Sequence, residues 1–236
     1  MYALSIGIQA DPMNTEDMKF TYEADTDFEV FPTQAAVLGH RGLYFNPKAF
    51  VPSFLYDTAK YPIFHTEEHM TFYKSFSPDE TYVCEEVIPD LKDKGKKGAL
   101  KFLDTKIFEK SSGDLCATIA TTALVRNMGG FGYKGSDKQK RVKIPKPPQT
   151  APDFVAEEPL RKNIANLYRL NGDKNPFHVI PKVAAAAKFD RPIMHGLCTY
   201  SMSVRSVQKK YSPETAQTIH EVNAKFSSHV YPGETL

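Results

Sequence analysis

A basic, proline-rich segment near the middle of the chain divides this sequence of 236 residues into two parts. Residues 134–153 contain several basic residues, four prolines and almost no large apolar side chain. Such a composition cannot bury enough apolar surface to fold alone and is typical of an extended linker. We therefore predict a first unit at residues 1–133 and a second unit at residues 154–236, joined by this linker.

Charge, cysteine content and hydropathy narrow the class of protein. With 30 Lys and Arg against 28 Asp and Glu, the formal net charge of +2 gives no field that would attract nucleic acid by itself. The three cysteines lack the spacing of a disulfide framework or a zinc site. No stretch approaches the roughly 20 apolar residues of a membrane span, and the N-terminus lacks the pattern of a secretory signal. We expect a soluble intracellular protein with no nucleic-acid or membrane partner.

The first unit shows an α+β pattern. A helix is expected from Thr33, as its cap, to Gly39, as its stop. Three strand-like runs follow, separated by polar turns that contain glycine, which is the pattern of an antiparallel meander. These runs are Thr81–Leu91, Ala99–Phe108 and Leu115–Arg126. In the last run, apolar and small residues alternate, so that one face can pack on a helix.

Two helical patterns organise the second unit. The first has apolar residues at helical spacing over 160–168 and ends at Gly172. The second covers 197–211, and Pro213 stops it. Its predicted apolar stripe consists of Leu197, Tyr200, Val204, Val207 and Tyr211. The final segment, 219–230, predicts a strand that runs into a turn.

The segment between these two helices has residues suited to acid–base chemistry. Pro176 disfavours helical geometry at Asn175, so the neighbouring Asp173 and His178 lie on a constrained turn. A carboxylate and an imidazole on such a turn can converge on one water molecule, while the amide of Asn175 holds that water or a substrate oxygen. Asp and Asn are also common in turns where they only bind nearby backbone groups. The residues alone leave both interpretations open.

Gly196 lies where the second helix is predicted to begin. The first N–H groups of a helix have no intrahelical partner, and the helix dipole is positive there. A thioester oxygen at this point would be stabilised as negative charge develops on it. Alternatively, glycine only permits close packing at the start of the helix. The combination of this glycine with the acid–base turn is more specific than either feature alone.

Two further patterns have both a functional and a structural interpretation. His65 and His69 would share one face of a helix, as metal ligands can, but the glutamates between them are not placed as in HExxH and no third ligand is evident. We therefore expect no metal. A basic turn between two predicted strands can meet phosphate groups or remain solvated. Its members are Lys92, Lys94, Lys96 and Lys97.

One long stretch resembles a known family almost continuously. It runs from Tyr168 to Arg205 and reads YRLNGDKNPFHVIPKVAAAAKFDRPIMHGLCTYSMSVR. It resembles the hydratase motif of the (R)-specific 2-enoyl-CoA hydratases, which are MaoC-like proteins. Weaker resemblance extends through DFEVFPTQAAVLG, FHTEEHMTFYKSF, LKDKGKKG, NMGGFG and NAKFSSHVYPGETL. The resemblance implies a double hot-dog fold, in which two helices are each wrapped by an antiparallel sheet.

The resemblance also implies roles for individual residues. Asp173 and His178 match the pair that activates water. Asn175 matches a supporting amide, and Gly196 matches the backbone donor to the thioester oxygen. The positions that match acyl-CoA contacts of the family are His65, Thr66, Lys94 and Phe226. Two positions depart from the family pattern, since Thr66 replaces a common glycine and Ile180 replaces the usual Asp.

The activity implied is hydration of a trans-2-enoyl-CoA to an (R)-3-hydroxyacyl-CoA in fatty-acid β-oxidation, with no cofactor. The first unit would accommodate the acyl chain. The alternatives are a non-catalytic acyl-CoA binding module and an acyl-CoA thioesterase. A peroxisomal location follows from the resemblance, and a second copy of the chain, as in a homodimer, is a possible partner. Because family members continue past PGETL with further strands, we expect the second sheet to lack its C-terminal strands.

Overall fold

The computed structural model describes residues 1–39, 60–136 and 141–236. Within these residues five antiparallel strands form one sheet in the order β2-β3-β4-β1-β5. Their bounds are β1 Ile63–Phe72, β2 Tyr82–Asp93, β3 Ala99–Glu109, β4 Leu115–Val125 and β5 Glu221–Lys225. The predicted meander is confirmed, because the three predicted runs coincide with β2, β3 and β4 to within two residues at each end.

Strand β1 comes from the segment whose histidines suggested a helix, and that interpretation is wrong. A bulge between His65 and Glu67 shifts the register of β1 against β4. After the bulge His65 lies beside the buried Glu68, whereas His69 contacts the half-exposed Glu221. On a regular strand two residues four positions apart point to the same face, but the bulge at Thr66 reverses this relation. The two histidines therefore point to opposite faces and cannot bind one metal there.

Strand β5 is the contribution of the second unit to the sheet. It pairs antiparallel with β1, from Glu67 opposite Lys225 to Thr71 opposite Glu221. The predicted final strand is therefore confirmed over 221–225, and the predicted turn after it is present at residues 231–234. The residues that follow this turn bind the backbone around Pro159, since Glu158 and Leu236 exchange two hydrogen bonds of 3.0 Å each.

The α-helices that the structure describes are mostly short. Their bounds are α1 Tyr2–Ser5, α2 Ala35–Gly39, α3 Ile164–Tyr168, α4 Pro181–Ala186 and α5 Gly196–Tyr211. The helix predicted from Thr33 is present, as a 3-10 turn at Pro32–Gln34 that continues into α2. Phe31 occupies the cap position, not Thr33. The stop predicted at Gly39 falls at the edge of the described residues.

Helix α3 ends as predicted. A 3-10 turn at Arg169–Asn171 extends it, and Gly172 terminates that turn with φ 128°, a backbone conformation that only glycine adopts without strain. The helix begins later than the sequence pattern indicated, because the backbone of Leu160 is engaged with Glu234 instead. This end point places the acid–base turn directly after the helix.

The stripe predicted for α5 is only half correct. Its first three members are buried, but Val207 is 54% exposed and Tyr211 is 63% exposed. The polar Gln208 takes the place predicted for Val207, because it lies on the helix face of Leu197 and Val204. Its amide donates to the carbonyls of Ser212 and Thr215 and so closes the helix end.

One hydrophobic cluster connects both predicted units. Met70 of β1 is fully buried in the same cluster as Tyr168 of α3 and Met202 of α5. Full burial of a side chain of this size stabilises the fold by about 1.5–3 kcal/mol. The shared core fixes how the second unit lies against the sheet. The boundaries of the two units themselves stay a prediction.

The described residues of the predicted linker form no helix or strand. Residues 137–140 lie outside the described residues. Arg141 nonetheless fastens the segment to the sheet, since its guanidinium donates to Asp104 at 2.5 Å and to the carbonyl of Thr121 at 3.1 Å. The same group lies 5.2 Å above the ring of Phe102.

In the part of the chain that the structure describes, no helix combines the length and the apolar character that a membrane crossing requires.

Candidate active site

The turn after α3 buries both members of the predicted acid–base pair. Asp173 is 8% exposed and His178 is 9% exposed. The Oδ1 of Asp173 accepts from the N–H of Asn175 at 3.2 Å, and the Oδ1 of Asn175 accepts from the N–H of Phe177 at 3.2 Å. Both side chains therefore shape the turn, as the structural interpretation expects. Neither of these hydrogen bonds involves Oδ2 of Asp173 or the amide nitrogen of Asn175.

His178 is fixed by a hydrogen bond to the main chain. Its Nδ1 lies 2.9 Å from the carbonyl oxygen of Ile193. A carbonyl only accepts, so Nδ1 bears the proton of the neutral ring and Nε2 is left as an acceptor. Burial lowers the pKa of His178, and the Asp173 carboxylate and the Ile193 carbonyl oppose that shift. The imidazole is thus kept neutral with one fixed tautomer.

A second histidine, for which the sequence analysis predicts no role, completes the cluster. His195 is 1% exposed, and its ring stacks on His178 with 3.8 Å between centroids and 28° between planes. Its Nε2–H donates to the main-chain oxygen of Asp173 at 3.3 Å. Burial sets the pKa of His195 well below its ordinary value, and His178 lowers it further. A histidine directly before the glycine that opens a helix was the signal that could have revealed it.

Asp173, His178 and His195 are also the described residues with donor atoms near enough to hold a metal. One ligand atom from each lies within 4.8 Å of the others. The two imidazole rings are stacked on each other, however, with 28° between their planes. Both rings also donate a proton to a backbone carbonyl. This arrangement suits two neutral imidazoles beside a carboxylate better than a coordination sphere.

Gly196 begins α5, directly after His195, and is crowded by Phe226. A Cβ placed on Gly196 would lie 3.2 Å from the Phe226 ring, which shows how closely that ring covers the helix start. The backbone N–H of Gly196 makes no backbone hydrogen bond within the described residues. An N–H at this position is an available donor beside the positive end of a helix of 16 residues.

The predicted acyl-CoA contacts on β1 lie beside the same ring. The His65 ring lies 4.8 Å from that of Phe226. Thr66 is the residue at the bulge, and its carbonyl accepts from the N–H of Phe226 at 2.8 Å. Its hydroxyl donates to the carbonyl of Thr122 at 2.9 Å. His65 and Thr66 therefore both contact Phe226, which in turn covers Gly196.

A buried carboxylate supports His65. Glu68 has no exposed surface, and its Oε2 lies 2.9 Å from Nε2 of His65. The hydroxyl of Thr121 donates to the same oxygen at 2.6 Å. Burial, and next Glu68, raise the pKa of the nearby Tyr200 phenol. Sequence reasoning considered Glu68 only as a failed metal motif and did not foresee this network.

Lys94 is the predicted position that the structure does not bring into contact with the others. It is exposed in the turn between β2 and β3, and its N–H donates to the carbonyl of Gly98 at 2.9 Å. The turn lies at the same end of the sheet as His65, because β3 and β1 both start there. Asp93 fastens the glycine-rich loop after β4 to this turn through the N–H groups of Gly130 and Gly132.

An aromatic cluster borders the acid–base turn. Phe177 packs at 5.1 Å from the ring of its neighbour His178 and at 5.3 Å from Phe189. Phe64 of β1 lies 6.0 Å from both phenylalanines. This apolar wall keeps one side of the candidate site dry, which strengthens electrostatic interactions there.

Comparison with known proteins assigns both halves of the chain. Residues 1–127 match the model of the MFE-2 hydratase 2 N-terminal domain, and residues 143–236 match that of the MaoC like domain. Peroxisomal multifunctional enzyme type 2 of Mus musculus is 34% identical over 236 residues, which is all of this chain and 31% of that protein. Enoyl-CoA hydratase 2, peroxisomal, of Arabidopsis thaliana is 32% identical over 248 residues and is covered to 78% by this chain.

Solved structures agree on the fold. A MaoC-like dehydratase from Phytophthora capsici superposes with a TM-score of 0.80 and 29% identity, covering 99% of this chain and 78% of that one. A Mycobacterium tuberculosis protein described as a double hotdog fold superposes with a TM-score of 0.57 at 13% identity, covering 88% and 67%. The second likeness concerns the fold alone. The chain has the predicted double hot-dog fold and belongs to the MaoC-like family, as a member that joins an MFE-2 hydratase 2 N-terminal domain to a MaoC-like domain.

Proposed function

We propose that this chain adds water across the double bond of a trans-2-enoyl-CoA to give an (R)-3-hydroxyacyl-CoA. The observation that carries the proposal is the burial of Asp173 and His178 side by side, shortly before Gly196, whose N–H makes no backbone hydrogen bond within the described residues. The relatives named as hydratases support the substrate class. The chain spans 31% of the length of the mouse relative and 78% of the Arabidopsis one, so the proposal concerns the hydration step only.

In this proposal the N–H of Gly196 polarises the thioester carbonyl. The helix start supplies a donor and a positive dipole where negative charge develops on the oxygen. Electron density moves from C2 and C3 toward that oxygen, so C3 becomes electrophilic and C2 gains enolate character. Phe226, which covers Gly196, and His65, which contacts Phe226, would border the thioester, and Lys94 would meet a phosphate of the CoA part.

Asp173 and His178 would handle the water. Asp173 takes a proton from the water while the water oxygen bonds to C3. The π bond between C2 and C3 breaks at the same time, and the single bond between these carbons remains. His178 helps to hold the water through Nε2, then takes the proton over from Asp173 at that nitrogen and passes it to C2. The amide of Asn175 steadies the water. Each hydration consumes one water and one enoyl thioester, and both catalytic groups end in their starting protonation states.

The direct test follows the loss of enoyl thioester absorbance with purified protein and analyses the chirality of the product. We expect turnover of crotonyl-CoA or decenoyl-CoA and an (R) product. Asp173→Ala and His178→Ala should each lower the rate by about 100- to 10,000-fold. Asp190→Asn, at an exposed position of the same unit, is the matched control for charge loss. Undiminished hydration in both alanine variants would reject the assignment.

The same assay separates the alternatives. An acyl-CoA thioesterase releases free CoA thiol, which a disulfide reagent detects, whereas hydration leaves the thioester intact. A non-catalytic binding module retains acyl-CoA without turnover of either kind. We further propose a peroxisomal setting, because the mouse and Arabidopsis relatives are named as peroxisomal proteins. A homodimer and the absence of a cofactor stay predictions.

A further inference from the structure

His195 contacts both members of the proposed catalytic pair, and the hydration mechanism leaves it without a task. Its ring stacks on that of His178 at 3.8 Å. Its Nε2–H donates to the main-chain oxygen of Asp173 at 3.3 Å. One buried side chain therefore joins the two residues whose relative placement decides whether the water is well oriented.

Hydrogen bonding fixes the tautomers of the stacked pair. Because carbonyl oxygens only accept, His178 bears its proton on Nδ1 toward Ile193, and His195 bears its proton on Nε2 toward Asp173. The remaining nitrogen of each ring is an acceptor. Nδ1 of His195 has no hydrogen-bond partner within the described residues.

Three charged or titratable groups in the described residues face the stacked pair. They are the Asp173 carboxylate, the Arg169 guanidinium and the Tyr168 phenol, whose ring lies 5.0 Å from His195. Burial, His178 and Arg169 all lower the pKa of His195, and only the hydrogen bond to Asp173 opposes them. His195 is therefore the harder ring of the pair to protonate, which excludes it as a competitor for the proton that Asp173 removes.

The side chain does not serve the helix it precedes. His195 is the N-cap residue of α5, but its side chain makes no capping hydrogen bond. Exchanging the imidazole therefore leaves the backbone of the helix start, including the N–H of Gly196, with the same partners. The effect of a His195 substitution on the reaction can therefore be measured without a change at the Gly196 N–H.

We propose that His195 is a positioning residue for hydration, whose ring fixes the plane of the His178 imidazole while its Nε2–H fixes the turn at Asp173. The inference rests on the proposed function. His195 is 1% exposed, so it does not reach the substrate, and the expected loss falls on kcat and not on KM. Misplacement of catalytic groups by about 1 Å can cost about 100-fold in rate.

Two variants separate the two contacts. His195→Phe keeps a ring that can stack but removes the donor, whereas His195→Gln keeps an N–H donor but removes the ring. We expect each to lower kcat for enoyl-CoA hydration by about 10- to 100-fold, with KM changed by about twofold or less. His69→Gln is the matched control, because that histidine lies on the opposite face of β1 and contacts Glu221.

A second readout reports the geometry directly. Nitrogen-15 NMR of the imidazoles should show the Nδ1–H tautomer of His178 in the wild type and a mixture of tautomers in His195→Gln. The same variant admits water to His178, so the pH at which kcat declines on the acid side should move up toward the ordinary pKa of histidine, about 6.5.

The outcomes distinguish the two proposals. A wild-type chain that does not hydrate enoyl-CoA rejects the proposed function. An active wild type with folded His195 variants whose kcat lies within twofold of it rejects only the role of His195. A parallel fall in thermal midpoint and kcat, with unchanged His178 tautomer and acid limb, shows a merely structural residue and also overturns the inference. If either His195→Phe or His195→Gln fails to fold, the kinetics of the other variant test the role of His195.

Discussion

The two units differ in what they supply to the candidate site. The first unit contributes four of the five described strands, each 10–12 residues long, and the five-residue helix α2. The second contributes one strand of five residues and the 16-residue helix α5, together with the buried Asp173, His178 and His195. One unit therefore supplies most of the sheet and the other the acid–base groups. The site forms where β1, β5 and the start of α5 meet.

This contrast places chemistry and scaffold on different segments of one chain. A sheet of long paired strands is rigid and can support a site. The first turn of a helix offers N–H groups without an intrahelical partner, which can stabilise negative charge. The contact between Phe226 and His65 shows how close the two contributions come, at 4.8 Å. Pairs of variants, one in each unit, can test how strict the division is.

The largest expected contrast is between two buried carboxylates. Asp173→Asn retains the turn but cannot accept a proton, so hydration should fall by about 100- to 10,000-fold. Glu68→Gln keeps an acceptor for Thr121 and a contact for His65, so we expect a loss of about tenfold or less, mainly in KM. Steady-state kinetics with both variants makes the comparison. Equal losses in kcat would contradict the assignment of chemistry to the second unit.

Two buried methionines test whether the units share one core energetically. Met70 of β1 is 0% exposed and Met202 of α5 is 3% exposed. Changing either to alanine should destabilise the protein by about 2–5 kcal/mol, because each leaves a cavity. Urea unfolding should show one transition in which both variants have a lower midpoint. Two separate transitions, each shifted by only one variant, would show that the predicted units fold independently.

The stacked histidines predict a pH dependence of stability. Burial lowers the pKa of His178 and of His195, so the unfolded chain takes up protons below the ordinary value of about 6.5 while the folded chain does not. The free energy of unfolding should therefore decrease as pH falls through that value. His195→Phe removes one of the two groups and should flatten the slope. Urea midpoints across this range measure it, and a slope of opposite sign would reject the buried neutral pair.

The smallest expected effect concerns the linker. Arg141→Gln removes the ion pair with Asp104, which is 38% exposed at its side chain and so is screened by water. We expect a loss of stability below about 1 kcal/mol and no change in kcat. Limited trypsin digestion should cut the segment 134–153 faster in this variant than in wild type. An unchanged digestion rate would show that other contacts hold the linker on the sheet.

Local patterns predicted much of the fold. The alternation over β4, the polar turns beside β3 and the glycine at 172 each have a local cause, so their positions followed from the sequence. Strand β1 did not, because the bulge at Thr66 breaks its alternation and the spacing of His65 and His69 resembles a helix face. The end of α5 was also mispredicted, since Gln208 replaces an apolar side chain there and its amide binds carbonyls just beyond the helix.

The sequence suggested residues for the candidate site but not how they come together. The residue types and the family resemblance pointed to Asp173, His178 and Gly196. The stacking partner His195 was missed, because its contact with His178 joins a turn to a helix start. No local pattern records such a contact. Glu68 was missed for the same reason, as its partner Thr121 lies on another strand.

The sequence by itself determined the turn that presents Asp173 and the glycine that opens α5, since proline fixes its own φ and glycine permits backbone conformations and close contacts that other residues do not, whatever surrounds them. The tertiary structure alone decided that these features face one another and that both imidazoles are kept neutral. Protonation depends on burial and on neighbours brought together from distant positions. Those conditions exist only once the chain is packed.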